Sequence, residues 1–542
     1  ARLVRDPSSR EHGVERSDDT FGALDVSIPV VRRVREASFS SAADRDGGDP
    51  GGHRHVGVRR RHGQNGIAMN RARRVDRCGL FPFLSQGQGS KGLCSVPVGS
   101  VGVQPRLSNM TSEGLRSMLS PPVTQTVAKA RSMDEQALIH DWNETESSFD
   151  WSTVRGVELD DETLRDGLQN PSVVDPPIED KIRLLHLMEK LGIHTANIGL
   201  PGAGPRAVEA VTALAQEIVD SGLSIRPNCA ARTVVADVAP IAAISQKVGI
   251  PIEACTFIGS SPIRQYAEDW TLAKMLRVTE EAVTFAVAEG LPVMMVTEDT
   301  TRAQPEVLKE LYGHAIAWGA RRLCVADTVG HATPEGTRDL IRFVIEEIVE
   351  PSGENVTVDW HGHRDRGFGL ANTFAAIRAG ANRVHGTALG IGERSGNTEM
   401  DLLLVNLKLM GLHDGDLTPL AEYCELTAQA CQVPLVHSYP IFGSDAFRTG
   451  TGVHAAAIVK AHAKGDNWLA DRIYSAIPAS MVGRKQIIEI GPMSGLSNVK
   501  YWLREHGHDS EDEQLCKRIF RAAKQTDHTL TVKEIEALCQ TS

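Results

Sequence analysis

The 542-residue chain contains no run of 18 or more apolar residues, so no segment of it reads as a membrane-crossing helix. Its nine cysteines, at 78, 94, 229, 255, 324, 424, 431, 516 and 539, include no CxxC pair. That spacing suits reduced thiols in a cytoplasmic protein better than a disulfide framework or a zinc knuckle. No GxGxxG turn follows the first strand-like run, which argues against an open dinucleotide-binding sheet. A cationic surplus is missing too: the net charge is −11. Residues 1–132 hold 21 Lys and Arg against 12 Asp and Glu, which leaves about −20 on the remainder, a charge that repels nucleic acid.

What is present is ordinary soluble composition, 41% hydrophobic and 23% charged. Residues 1–132 are rich in Arg, Ser and Gly (GVRRRHGQNG, SQGQGSKG) and lack sustained periodicity. They read as a disordered or non-native N-terminal extension, with Met69 or Met110 as alternative starts. Interspersed acids such as Asp18, Asp19 and Asp44 weigh against an organelle-targeting segment.

From residue 150 the character changes. Short apolar, β-branched runs recur at 157–161, 194–201, 224–230, 250–259, 292–299, 321–328, 356–363 and 382–390. Stretches of helical periodicity separate them, and many end in a glycine suited to a left-handed helix terminus: Gly192, Gly222, Gly249, Gly290, Gly319 and Gly380. Eight such units predict a (β/α)8 TIM barrel over residues 150–415, followed by a small, mostly helical C-terminal subdomain over 416–542. Reactive groups of such a barrel sit at the C-terminal ends of its strands.

Arg165 and Asp166 follow the first run, in DDETLRDGLQN, and Gln169 lies just beyond them. In VTVDWHGH, alternation puts Thr357, Asp359, His361 and His363 on one face. Asp166 lies two strands away around a closed ring, so Asp166, His361 and His363 form a carboxylate and imidazole set without thiolate. Such a set suits Mg, Mn, Zn or Co with positions open for substrate. An ion of this kind chelates a 2-oxo acid through its ketone and carboxylate oxygens, and an adjacent, permanently charged Arg165 stabilises the oxyanion that develops.

TLRDG (163–167), HGH (361–363) and GERSGN (392–397) together resemble the metal-dependent acyl-CoA aldol-condensing enzymes: 2-isopropylmalate, homocitrate and citramalate synthases and, more distantly, hydroxymethylglutaryl-CoA lyase. The resemblance spans residues 155 to about 500. It implies Asp166, His361 and His363 as metal ligands, Asn397 as a further or supporting ligand, and Arg165 as oxyanion stabiliser. It also implies TEDTTR as the family's acidic segment after the fifth strand, with Glu298 as its catalytic residue, Thr328 of ADTVG as a carboxylate holder and Gln169 as a further substrate contact. Downstream, FGSDAFRTGTGVHAAAIVK and YSAIPASMVGR resemble the segment after the synthases' barrel. His454 and Tyr474 are then candidates for acid/base work on the methyl group of acetyl-CoA, delivered from the partner subunit of a homodimer.

The sequence departs from the synthase pattern at Leu168, where Glu is usual, at Asn197, often Glu, and at Thr256, often His. These departures are expected around the acceptor pocket and bear on which 2-oxo acid is used. DGLQN is closer to the lyase wording, yet GIGERSGN lacks the lyase's loop cysteine. The implied reaction joins acetyl-CoA to a 2-oxo acid and releases CoA. A hydroxymethylglutaryl-CoA-lyase-like cleavage and a non-catalytic metal-binding barrel are the alternatives. A biotin-dependent carboxyltransferase would need a metal-linked lysine on a middle strand, which TVVADV and ACTFIGS do not offer. About 58 residues follow Arg484, fewer than an added αβ regulatory domain needs, so leucine feedback through such a domain is not expected.

Overall fold

The computed structural model describes residues 138–145, 148–154 and 156–540. The expectations for residues 1–132 lie outside these. Among the described residues no helix is long and apolar enough to cross a membrane.

Eight parallel strands close into a barrel in sequence order. They are β1 (Glu158–Asp161), β2 (Thr195–Asn197), β3 (Arg226–Arg232), β4 (Glu253–Gly259), β5 (Val293–Glu298), β6 (Arg322–Asp327), β7 (Thr357–Gly362) and β8 (Arg383–Gly386). Closure is made by β1 on β8, with Asp160 opposite His385, while Asp160 also stands opposite Thr195 of β2. Every strand lies within or overlaps a predicted run. The second run is shorter than expected because Gly199 turns the chain and Pro201 has no N–H to donate. The eighth ends early because Leu389 takes a positive φ of 57° and its N–H donates to Asp401 at 2.7 Å.

The principal helices around the barrel are α1 (Ile178–Lys190), α2 (Pro205–Asp220), α3 (Val235–Val248), α4 (Leu272–Ala288), α5 (Pro305–Ala317), α6 (Pro334–Val344), α7 (Gly369–Ala379) and α8 (Met400–Leu409). The six glycines expected at helix ends all have positive φ, from 61° to 111°. Outward strand residues such as Leu159, Met295, Val358, Trp360 and Val384 are buried against Leu185, Leu214, Ile241, Leu311 and Leu403 of the helices. Each such side chain contributes about 1.5–3 kcal/mol by leaving water.

After the barrel come α9 (Leu420–Ala430), α10 (Gly452–Ala463), α11 (Asn467–Arg472), α12 (Leu496–Glu505), α13 (Glu513–Gln525) and α14 (Val532–Gln540). Helix α9 packs into the barrel's own core through Tyr423, Cys424 and Leu426. The Tyr423 hydroxyl reaches Asp161 at the end of β1. Helices α12 to α14 enclose a separate core around Trp502, Leu503, Ile519 and Ile535.

Candidate functional site

The site begins where β1 stops. Past Asp161 the chain folds into a tight turn: Gly167 N–H donates to Glu162 O at 3.0 Å, and the Thr163 hydroxyl accepts from Ala388 N at 2.8 Å. A Cβ at Gly167 would meet Ile391 Cγ1 at 3.0 Å, so the turn fits closely under the loop after β8. It carries Arg165 and the buried Asp166 at the C-terminal end of the barrel. Arg165 lies 3.3 Å from Asp166 and pairs more closely with Glu162.

Strand β7 supplies the rest. Asp166 Oδ2 is 3.5 Å from His361 Nε2 and 3.4 Å from His363 Nε2, and the two imidazole nitrogens are 3.4 Å apart. The centre of this triangle is about 2 Å from each atom, the bond length of a small divalent cation to nitrogen or oxygen. Burial pushes His361 down to about 3 and lowers His363 as well, so both rings are neutral with lone pairs to offer. Burial alone would raise Asp166, but the Arg165 guanidinium holds its carboxyl below the usual range. Asn397 donates to Asp166 Oδ2 at 2.7 Å, while its buried Oδ1 has no hydrogen-bond partner. An orphaned buried acceptor beside three converging donor atoms fits a cation.

Beneath these ligands the barrel interior is ionic. Arg383, 1% exposed, pairs with Asp359 at 2.6 Å and Glu253 at 2.7 Å. Arg322 reaches Asp359 at 2.8 Å, and Glu158 and Glu253 at 3.3 Å. His385 links Asp359 at 3.0 Å to Glu162 at 3.2 Å. Burial opposes its protonation, but the surrounding Asp160, Asp359 and Glu162 raise His385 to about 9. Glu162 would be raised by burial, yet Arg165 and His385 keep its carboxyl well below the usual range. Sequence reading missed Glu162 and His385. The signal was the alternation that puts Asp160 with Glu162, and Arg383 with His385, on inward faces.

The other predicted residues divide by location. Glu298 ends β5 and faces Arg264 at 3.5 Å; burial raises its carboxyl against that guanidinium. The Thr328 hydroxyl accepts from Asp299 N at 2.8 Å, which leaves its own proton to donate. Gln169 follows Asp166 with an exposed side chain. His454 and Tyr474 stack at 4.1 Å between ring centroids, and both are exposed. No hydrogen bond, ion pair or ring contact among the described residues joins either one to the barrel site.

One sequence expectation is corrected. Thr256 does not border the acceptor pocket: its hydroxyl contacts Met295 Sδ at 3.6 Å, on the outward, helix-facing side of β4. The inward neighbour is Cys255, which packs with Met294 and Cys324 and donates to Asn228 at 3.4 Å. Asn197 is inward, two residues past Thr195, and is 1% exposed.

Comparison with known proteins agrees with this geometry. Residues 156–427 match the HMGL-like family. A Methanopyrus kandleri protein provisionally named (R)-citramalate synthase CimA is 32% identical over 394 residues, 72% of this chain and 73% of its own length. The chain belongs to the HMGL-like family. Two further relatives carry synthase names. Homocitrate synthase AksA of Methanothermobacter thermautotrophicus is 30% identical over 68% of this chain and 88% of that protein. A 2-isopropylmalate synthase of Nitratidesulfovibrio vulgaris is 31% identical over 68% and 70% respectively.

Proposed function

We propose that this HMGL-like protein is a divalent-metal-dependent acyltransferase that condenses acetyl-CoA with a 2-oxo acid, giving a 2-hydroxy-2-alkyl dicarboxylate and CoA. The observation that carries the reading is the triangle of Asp166, His361 and His363 with Arg165 at its side. The synthase names of its relatives support it.

A divalent ion, when bound, supplies the Lewis acidity that polarises the acceptor ketone. Asp166, His361 and His363 would hold it, and Asn397 would complete or steady the set. Arg165, kept in place by Glu162, stabilises negative charge as it develops on the ketone oxygen. The free hydroxyl proton of Thr328 and the amide of Gln169 bind the acceptor carboxylate. His454 takes a proton from the acetyl methyl group, imidazole being the side chain suited to that step near neutral pH, with Tyr474 stacked against it. Glu298, whose carboxyl burial raises, is a further catalytic side chain on the same rim. His454 and Tyr474 serve the barrel of the partner subunit in a homodimer; their exposure and their separation from their own barrel site support this. The seven described cysteines are free thiols, which suits the reducing cytoplasm.

The test is CoA release, followed with a thiol reagent, from acetyl-CoA and a panel of 2-oxo acids, with and without Mg or Mn. Metal-dependent release with one 2-oxo acid, abolished by Asp166→Ala, is expected. Silence across the panel together with cleavage of hydroxymethylglutaryl-CoA would replace the synthase reading with a lyase.

A further inference from the structure

The region after the barrel holds an open cavity of about 910 Å³, lined by α10, α11, α12 and the segment 478–486. Four cations line it: Arg472, Arg484, Lys485 and Arg504. Arg484 is committed, donating to the carbonyls of Ile441 and Gly443. Arg472, Lys485 and Arg504 have no ion-pair partner among the described residues. Of the two carboxylates in the lining, Asp471 is spent on Ala479 N at 2.9 Å, Ser480 N at 3.0 Å and Ser480 Oγ at 2.7 Å. That leaves Glu505 against three uncommitted cations, a net positive wall.

Two donors are left over. Trp468 Nε1 and Arg472 Nε are buried atoms without a hydrogen-bond partner, and both residues line the cavity. A buried donor without an acceptor is costly, so both N–H groups have a hydrogen bond still to make. The walls are also aromatic. Arg472 lies over the Trp468 ring at 5.3 Å, and His462 stacks with Tyr501 at 5.8 Å between centroids. Paired rings and guanidinium planes are surfaces on which a nucleobase stacks, while unpaired Arg and Lys take phosphate. The volume lies in the range of nucleotide-sized ligand sites, and a dicarboxylate the size of the proposed product would leave most of it empty.

We propose that this cavity binds a phosphorylated nucleoside, with its phosphates on Arg472, Lys485 and Arg504 and its base against Trp468 or the His462–Tyr501 pair. Two sources share that chemistry: the nucleotide end of coenzyme A and a free adenine nucleotide. Only the first rests on the condensation reading.

Calorimetric titration of the full chain with ADP, adenosine 3′,5′-bisphosphate and CoA tests this. Saturable binding that weakens with salt is expected, reduced about tenfold or more by Arg472→Ala combined with Arg504→Ala. Displacement of ADP by CoA and by the bisphosphate assigns the cavity to coenzyme A; ADP that stays bound against CoA assigns it to a free nucleotide. Trp468→Phe keeps the ring and removes the N–H, so it answers the same question if the double variant does not fold. Binding of none of the three ligands, or affinity that these variants leave unchanged, overturns the proposal. A chain that binds nucleotide here but releases no CoA with any 2-oxo acid sinks the condensation reading and leaves this site standing.

Discussion

Glu162→Gln is the most informative perturbation of the barrel site. The side chain keeps its shape, loses its charge, and touches none of the proposed substrates. In the native chain Glu162 is 2% exposed and faces Arg165, His385 at 3.2 Å and His361 at 3.9 Å. Without its charge, Arg165 retains Asp166, at 3.3 Å, as its one counter-ion among the described residues. Breaking one side of a buried ion pair costs about 3–5 kcal/mol, and the retained amide contacts put this change at about 3. For a chain of this size that lowers the thermal midpoint by roughly 3 °C. The kinetic effect follows from the role proposed for Arg165: an aligned oxyanion contact is worth about 3 kcal/mol, and a guanidinium released from Glu162 forfeits a large part of that. A fall in kcat of about 10 to 100-fold is expected, with the KM for the 2-oxo acid little altered and the metal content unchanged. Circular-dichroism melting, CoA-release kinetics and metal analysis of the same preparation read all three. A variant whose midpoint and kcat both match the native protein refutes the assignment of Glu162 as the residue that positions Arg165.

Other outcomes follow from the same structure. Chelation by EDTA, or His363→Ala, abolishes CoA release, and added Mn restores the chelated native protein alone, as an activity assay would read. Arg165→Lys keeps the charge and loses the planar fork, and kcat falls about 100-fold. Burial raises Asp401 to about 7 and Asp161 to about 6, both from an ordinary 3.8. Their folded pKa values exceed the unfolded ones, so their contribution to stability is greatest below about pH 4 and is lost as pH rises toward 7. Asp401→Asn flattens that slope by up to about 4 kcal/mol, measured by denaturant unfolding across pH 4–7. Mixing the inactive Asp166→Ala and His454→Ala chains, unfolding and refolding them together, restores part of the activity if each barrel borrows its histidine from a partner; two inactive parents giving an inactive mixture would rule that out.

The barrel was legible because each parallel strand, covered by helices, must carry apolar residues on its outward face, and because six helix ends need glycine. Asp166, His361 and His363 were legible by strand alternation and by the expectation that polar residues collect at strand ends. Thr256 was placed by the resemblance to the synthases and not by alternation, and it is one residue out of phase: Cys255 faces inward on β4, and parity inside a fully buried strand leaves no polar mark to read. His385 was missed because its partners, Asp359 and Glu162, are set by how strands line up across the ring, and one sequence does not carry that register; Glu162 was missed although Arg165 stands three residues away, because the turn that brings the two together has no mark in the sequence. Separation of Tyr474 and His454 from their own barrel site is likewise a matter of how α10 and α11 leave the barrel, which follows from tertiary packing.

The charged interior of the barrel also limits how this sequence can drift. Arg383 and Arg322 answer to Glu158, Glu253 and Asp359, which come from β1, β4 and β7. Where a barrel is filled with aliphatic layers, one methyl group can be traded for another and the loss is small. Here a single replacement strands a charge on a different strand, so tolerated changes must arrive in matched sets. Related chains should therefore keep this column whole or replace it whole, and a library randomised at one of its positions should return few folded members besides the native residue, where one that replaces all five together with aliphatic residues should return more.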